Sequence, residues 1–499
     1  MKIRYSKLCA KRNCLGGVLW VVVTGLLVPF SSRAASNPSI TTQPTNQVVA
    51  PGGTVSLSVS AAGTAPLYYQ WFKGGGMVLG ATNSALTLAN AGVTNSGGYY
   101  VVITNVHGLN ISTPVTVTVG NPQLLAWGYN SYRQLGDGTV SNRYLPIVMA
   151  SNVVMASAGG TYSLLVKGDG TLWAVGYNGN GPLGDGTSSD KTSLVSVASN
   201  VVTVAAGNIH SLFLKSDGTL WAMGCNSYGQ LGDGTKTSRN SPTFVASNVV
   251  AMAAGDMHSV FLKADGTLWT MGYNSDGQLG DGTTLNRSNA VSVASNVVAV
   301  TAGYRDCLYL KADNTLWAMG YNANGQLGDG TTISRSNAVS VASNVVEVVA
   351  GWVHTLILKS DLTLWASGWN YYCQLGDGTK LSRQTPVSIA SNVVSMAAGE
   401  LHSVFLKGDG TLWAAGDNAY GELGDGTTNQ QSSPVSINGM SLAAVLSGSG
   451  SQDTLAVGSA VATSDHQPTH QSSGAGRQHC HLHSHGQRFC AFVLSMAIQ

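Results

Sequence analysis

The chain reads as an all-β protein whose larger part is a seven-bladed β-propeller, and three observations lead there. The pentapeptide Leu135-Gly136-Asp137-Gly138-Thr139 returns every 48 residues, with its aspartate at Asp137, Asp185, Asp233, Asp281, Asp329, Asp377 and Asp425. A fixed period of roughly 20–50 residues marks a solenoid, an array or a propeller. Within one unit, His258 to Lys263 and Thr267 to Gly272 are β-branched and aromatic runs. They flank Ala264-Asp265-Gly266, a hairpin signal because glycine accepts the positive φ of a primed turn. Two further short strands fit near Ala290 to Val293 and Val297 to Ala302, with Ser295-Asn296 as the turn between them. No segment carries apolar spacing at 3.6 residues over helical length, which excludes helical solenoids. Seven units of four antiparallel strands make a propeller. Its closure then requires Leu124 to Gly128 to pair with strand residues near Asp453 to Val457, since an open blade edge invites aggregation.

Taken in order, residues 1–35 carry Lys2, Arg4, Lys7, Lys11 and Arg12, then the apolar run Leu15 to Phe30, then Ser32-Arg33-Ala34. This is the pattern of a secretory signal peptide cleaved near Ala34 or Ala35. The run is shorter than the roughly 20 residues of a membrane span. The mature chain is therefore expected to be exported, secreted or at the cell surface, with no integral membrane span.

Residues 38–119 alternate Val, Ser and Leu over Val55 to Val59, carry a lone Trp71, and run Asn95-Ser96-Gly97-Gly98-Tyr99-Tyr100-Val101. On these residues the segment resembles an immunoglobulin domain. The resemblance implies a β-sandwich in which Trp71 is the core tryptophan and Tyr99 forms a tyrosine corner. Val59 and Val101 stand where the family has its disulfide, so an apolar pair replaces it. Such modules in bacterial surface and secreted proteins act as spacers or adhesive units, and that role is implied here. Gly120-Asn121-Pro122 is the linker.

Residues 123–458 repeat the run Leu-Trp-Ala-x-Gly-x-Asn-x-x-Gly-Gln-Leu-Gly-Asp-Gly-Thr, then Arg, Pro-Val, and Val-Val-x-x-Ala-Ala-Gly-x-x-His-Ser. This resembles the regulator of chromosome condensation repeat family, whose fold is the seven-bladed propeller. The family's best-known activity is guanine-nucleotide exchange on a small GTPase, which depends on a wedge inserted in one blade. The unbroken period leaves no room for one. Terminal units depart from the pattern, with Leu125 where the others have Trp173, Trp221, Trp269, Trp317, Trp365 and Trp413. In the fifth full copy Asp361-Leu362 replaces Asp-Gly, and leucine disfavours positive φ.

Charged residues make up 10% of the chain and the formal net charge is +2, which gives no clustered basic footprint for nucleic acid. The seven cysteines are scattered, so no disulfide framework or paired-cysteine metal site is read. The repeated aspartates are assigned to turn structure, because a calcium loop gathers several oxygens from one segment. Arg143, Arg239, Arg287, Arg335 and Arg383 suit local pairing with carbonyls or a neighbouring aspartate. His210, His258, His354 and His402 share one repeat slot, filled elsewhere by Tyr162, Asp306 and Asp453. The repeat symmetry spreads them around an axis, so hydrogen bonding at strand ends is expected rather than a metal centre. No nucleophile, base and orienter come together. No catalytic, cofactor or metal residues are assigned, and the chain is read as a non-enzyme.

One asymmetry is left. Trp352, Trp369, Tyr371 and Tyr372 gather at the boundary of the fifth and sixth units, with Tyr304 and Arg305 one unit earlier. Aromatics with arginine anchor protein interfaces, so these six are the candidate partner-binding residues, with packing between blades as the competing role. The expected function is an exported, monomeric, non-enzymatic recognition or adhesion scaffold for a protein or surface partner. The alternatives are exchange activity on a small GTPase and an exported propeller lyase or hydrolase. From residue 459 to 499 the chain reads as a disordered tail. Its alternating His479, His481, His483 and His485 around Cys480 look like a metal tract. They fit better a frameshifted start of a second immunoglobulin-like domain. Met496-Ala497 shifted by one base gives tryptophan, and at that same offset the histidines fall opposite Thr54, Ser56 and Ser58.

Overall fold

The computed structural model describes residues 36–437, 440–446 and 450–460; the signal-peptide reading of 1–35 and the readings made of the tail past 460 lie outside the described residues. Seven four-stranded antiparallel sheets form the ring. Blades 1 to 6 span Val153–Ala198, Val201–Ala246, Val249–Ala294, Val297–Ala342, Val345–Ala390 and Val393–Ile437. Blade 7 is shared: Met440–Leu446 and Asp453–Ala460 come from the end of the ring, Gln123–Gly128 and Arg143–Ser151 from its start. The closure registers Leu124 on Val457, Ala126 on Leu455 and Gly128 on Asp453, as protection of the blade edge requires.

In blade 3, His258–Lys263 and Leu268–Gly272 form the expected hairpin over Ala264-Asp265-Gly266. The Ser295-Asn296 turn has a different role from a turn within one unit. It carries the chain from the outer strand of blade 3 to the inner strand of blade 4, which are not paired, so a blade is offset by one strand from the sequence repeat. Asn296 takes φ 58° there, and Asn200, Asn248, Asn344 and Asn392 do the same at φ 57–59°. Asparagine is among the few side chains that tolerate this left-handed region. Leu362 adopts it too, at φ 62°, against its preference.

The inner strands bury alternate residues between blades and turn the others to a central channel, whose wall is made of small side chains such as Ala253, Ala299 and Ala205 with one carboxylate, Glu347. Phe213, Phe261 and Phe405 fill the space between blades. The tryptophans of the Leu-Trp strands are only half-buried. Each lies beneath a lysine of the neighbouring strand, as with Lys263 Nζ 4.3 Å from the Trp269 ring centroid, so they shield the blade edge through a cation–π contact.

The amino-terminal module is a β-sandwich. Gln47–Val49, Val115–Val119, Gly97–Asn105, Tyr68–Lys73 and Gly76–Met77 form one sheet, with Gly108–Ile111 also paired to Gly97–Asn105, and the pairs Val55–Ser58 with Ala85–Leu88 and Ser39–Thr42 with Ser60–Ala62 form the other layer. Trp71 is fully buried among Val59, Tyr99 and Val101, and the Tyr99 hydroxyl donates to the Asn95 carbonyl at 3.0 Å, a tyrosine corner.

The outer face of its larger sheet is buried as well. Phe72, Tyr100, Val102, Leu109 and Ile111 share one core cluster with Val250, Val298 and Leu308 of the propeller. Phe72 and Tyr100 stack at 5.0 Å, and the Tyr100 hydroxyl donates to the Val298 carbonyl at 2.9 Å. The Ile111 amide donates to Ala264, on a blade hairpin, at 2.8 Å. The module therefore covers the end of the ring that carries the Asp-Gly hairpins. Its turn Gly74-Gly75, at φ 58° and 93°, stands over the channel, conformations that glycine adopts without strain. Beside it a cavity of about 510 Å3 runs between Met77, Val78 and Leu79 of the module and Glu347, Leu362 and Met396 of the ring. Leu362 thus places an apolar tip at the interface where four of the other hairpins have glycine and one has Asn314.

Candidate functional site

With the hairpin end covered, the free end of the ring carries the long connections between third and fourth strands and the short ones between first and second. Each long connection is knotted around one buried asparagine that the sequence reading did not single out. In blade 3, Asn274 Nδ2 donates to Asp281 Oδ1 at 3.1 Å and to the carbonyls of Thr283 and Leu285 at 3.2 and 3.0 Å, and its Oδ1 accepts from the Leu279 amide at 2.9 Å. Asp281 Oδ1 also accepts from the Thr283 amide and hydroxyl at 3.0 and 2.7 Å, and Oδ2 from Arg287 Nε at 2.7 Å.

The same pattern pairs Arg143 with Asp137, Arg239 with Asp233, Arg335 with Asp329 and Arg383 with Asp377; Lys191 serves Asp185 and Gln431 serves Asp425. Burial alone would raise the Asp185 carboxyl, but Lys191, Thr187 and Asn178 outweigh it and hold it down at about 2. The repeated aspartates are the keystones of loops that present other residues.

The histidines link neighbouring blades. His210 Nε2 is hydrogen-bonded to Ser259 at 2.9 Å, His354 to Ser403 at 3.0 Å and His402 to Thr454 at 2.8 Å. Burial pushes the imidazoles down, His210 to about 3 and His402 to about 4, so they stay neutral. At His258 the matching hydroxyl is replaced by Cys307.

The six residues singled out as partner-binding all lie on the free end, and the structure brings them into one row. Tyr304 meets Trp352 edge-on at 5.1 Å, Trp352 meets Trp369 at 6.4 Å, and Trp369 contacts Tyr372 at 5.4 Å and Tyr371 at 6.2 Å. Arg305 lies with Cζ 5.0 Å from the Tyr273 centroid and 4.9 Å from that of Tyr304, and its Nη1 reaches Asp276 at 3.3 Å. Tyr371 is 61% exposed, and the other five are half-buried. A second, smaller row of Tyr420, Tyr129, Tyr132 and Tyr177 continues round the rim.

Four carboxylates near this surface were missed. Asp256 accepts from Asn208 at 2.8 Å, and burial pushes it up to about 6. Burial and Asp417 push Glu400 up to about 7, and burial with Asp417 and Glu400 pushes Glu422 up to about 8. Their signal was positional: Glu400 takes the slot of Tyr304 and Trp352, Asp417 that of Trp369, and Glu422 that of Gln278, Gln326 and Gln374.

A closed ring of seven blades, built on repeated Asp-anchored loops and capped by an immunoglobulin-fold module, defines a propeller of the regulator of chromosome condensation type. The chain belongs to the RCC1-like domain family: that family's model matches residues 191–463, the RCC1 repeat model matches 123–166, and the immunoglobulin domain model matches 37–105. Among solved structures it is similar to human WBSCR16, at 22% identity and TM-score 0.62 over 68% of this chain and 99% of that one. Yeast RCC1 (Prp20), in a structure bound to Kap60, matches at 21% identity and TM-score 0.62, over 68% of this chain and 89% of that one. Prp20p from Saccharomyces cerevisiae, in a structure reported with its binding to Gsp1p and histones, matches at 22% and 0.61, over 68% and 92%. At these identities the likeness establishes the fold. No curated protein matches the chain. Among the described residues no helix is long and apolar enough to cross a membrane.

Proposed function

We propose that the chain is an exported, non-enzymatic recognition scaffold that binds a protein or surface partner through the free end of the ring. The observation that carries this reading is the division of the two ends: the immunoglobulin-like module buries the hairpin end, and the row from Tyr304 to Tyr372 lies across the other. Large rigid aromatics at a solvent-facing surface are the usual centre of an interface. The yeast relative, whose structures carry Kap60 and whose reports name Gsp1p and histones, supports protein binding as a use of this fold. Exchange on a small GTPase is the weaker reading, since the loops of blades 1 to 6 share one length and none forms a wedge. Export rests on the basic and apolar pattern of residues 1–35.

The test is a pull-down from secreted and surface proteins with the full chain against Trp352→Ala and Tyr372→Ala. Each substitution is expected to weaken capture by at least ~2 kcal/mol, a factor of about 30, with the melting temperature kept. Collapse of the melting transition would instead make these residues part of the fold, and undiminished capture would move the site elsewhere.

A further inference from the structure

We propose that the cavity between the immunoglobulin-like module and the ring binds a neutral amphiphile, a slender apolar chain ending in one hydroxyl or amide head. The site lies at the covered end of the ring, so it goes beyond the recognition reading above and does not depend on it. Its volume of about 510 Å3 falls within the roughly 300–1,000 Å3 of small-molecule sites, which are mostly apolar with a few placed polar groups. Met77 and Leu79 of the module form its walls together with Leu362, Val394 and Met396 of the ring. Leu79 and Val394 are each 45% exposed, so the apolar wall reaches the surface and gives a ligand its way in. Walls of this kind gain by exchanging water for an apolar chain.

Two observations point to an occupant. The first is Leu362. It holds φ 62°, a conformation that leucine disfavours and that glycine supplies at Gly170, Gly218, Gly266 and Gly410. Backbone strain of this sort collects at ligand clamps, and here the strained residue is the one that adds an apolar wall to the cavity. The second is Glu347. Its carboxyl lies against Gly76 and lines both the cavity and the channel, yet among the described residues it makes no hydrogen bond and no ion pair. A carboxylate drawn out of water gains by accepting a hydrogen bond. Lys73 is near enough for its charge to act on Glu347, but its ammonium donates to the Thr94 carbonyl at 2.5 Å. These two opposite charges decide the head group. An ammonium head meets the field of Lys73 and a carboxylate head that of Glu347, whereas a hydroxyl or amide N–H donates to Glu347 and leaves the two charges balanced.

Calorimetric titration of the full chain with 1-octanol, octylammonium and octanoate at pH 7 tests this. One molecule of 1-octanol should bind per chain, at least tenfold more tightly than either ion. Val394→Trp, which fills the mouth of the cavity from an exposed position, should weaken that binding at least tenfold. Leu362→Gly should weaken it at least threefold with the melting temperature kept, because glycine relieves the backbone while removing the wall, so the loss of affinity cannot come from unfolding. Lys73→Met/Glu347→Leu, which removes both charges together and keeps the cavity apolar, should bind 1-octanol at least fivefold more weakly for want of the acceptor. No saturable binding of 1-octanol, binding of either ion as tight as that of the alcohol, or unchanged affinity in Val394→Trp or in Lys73→Met/Glu347→Leu would each overturn the proposal.

Discussion

Replacing Lys73 by methionine should leave the docking of the immunoglobulin-like module governed by the protonation of Glu347, and the size and pH dependence of the effect come from where Lys73 and Glu347 sit. Lys73 ends the strand that leads into the channel-facing turn, with Nζ on the Thr94 carbonyl at 2.5 Å. Glu347 lies on the channel wall against Gly76, where an added Cβ would come within 3.0 Å of its carboxyl. Burial lowers Lys73 to about 8 against the pull of Glu347, and burial raises Glu347 to about 8 against the pull of Lys73. Without Lys73, Glu347 must be held protonated when docked. At pH 7 that costs up to about 3.4 kcal/mol, at 1.36 kcal/mol per pH unit above its ordinary 4.5. Without Glu347, as in Glu347→Gln, Lys73 must dock neutral, at up to about 4.8 kcal/mol below its ordinary 10.5.

The signs differ. A carboxyl raised on docking favours the docked form below pH 4.5 and opposes it increasingly as pH rises towards 8 and beyond; an amine lowered on docking favours it above 10.5 and opposes it as pH falls towards 8. Docking of Lys73→Met should therefore tighten on acidification, and that of Glu347→Gln on alkalinisation. Hydrogen exchange at the Ile111 amide, bonded to Ala264 across the interface, reads the separation directly. In Lys73→Met its protection should fall by up to roughly 80-fold between pH 5 and pH 7, as the cost of keeping Glu347 protonated grows. Lys73→Met/Glu347→Leu should dock without that dependence, because an apolar replacement leaves no buried charge unmatched. Protection in Lys73→Met that does not fall from pH 5 to pH 7, or docking that moves the same way with pH in both single variants, would refute the reasoning.

Two further outcomes test the loops. Asn274→Ala removes the acceptor of the buried Leu279 amide and three donor contacts, and should lower stability by about 3 kcal/mol in urea unfolding; an unmoved midpoint would show that the loop is held by other bonds. Asp185, lowered to about 2, contributes stability that is fully present above its ordinary 3.8 and lost as pH falls towards 2, about 2 kcal/mol. Asp185→Asn should lose that amount near neutrality and flatten the acid limb of the stability curve, and an acid limb as steep as wild type would assign it to other groups.

The features legible in the sequence were those that repeat or lie close along the chain. The blade hairpins, the pairing of each repeated arginine with an aspartate six residues earlier, and the closing registers of blade 7 arise from local turn chemistry and a constant period. The docking of the two domains did not, because its contacts occur once and join distant segments. A trace of it was present in Tyr99-Tyr100-Val101-Val102-Ile103. A strand with one wet face alternates, and this one is apolar throughout because Tyr99 and Val101 face the sandwich while Tyr100 and Val102 face the ring. The Ser295-Asn296 step was misplaced for a related reason: a turn signal tells that the chain reverses but not whether the strands on either side pair. The aromatic row was legible from composition alone, whereas the carboxylates beside it occupy slots that in other units hold neutral residues and so looked like ordinary drift.

The shared blade also decides how the ring answers to force. Gln123 and Gly458 are partners at one end of the two middle strands of this sheet, which run antiparallel, so the chain enters and leaves that strand pair at the same end. Tension applied between the segment before Gln123 and the segment after Gly458 pulls that pair apart one rung at a time, like a zip, instead of shearing all the rungs together. The other six blades carry none of this load. The module docked through Tyr100 and Ile111 stands at that same end and takes up strain on the leading segment first, so pulled from its ends the chain should shed its cap before it opens its ring.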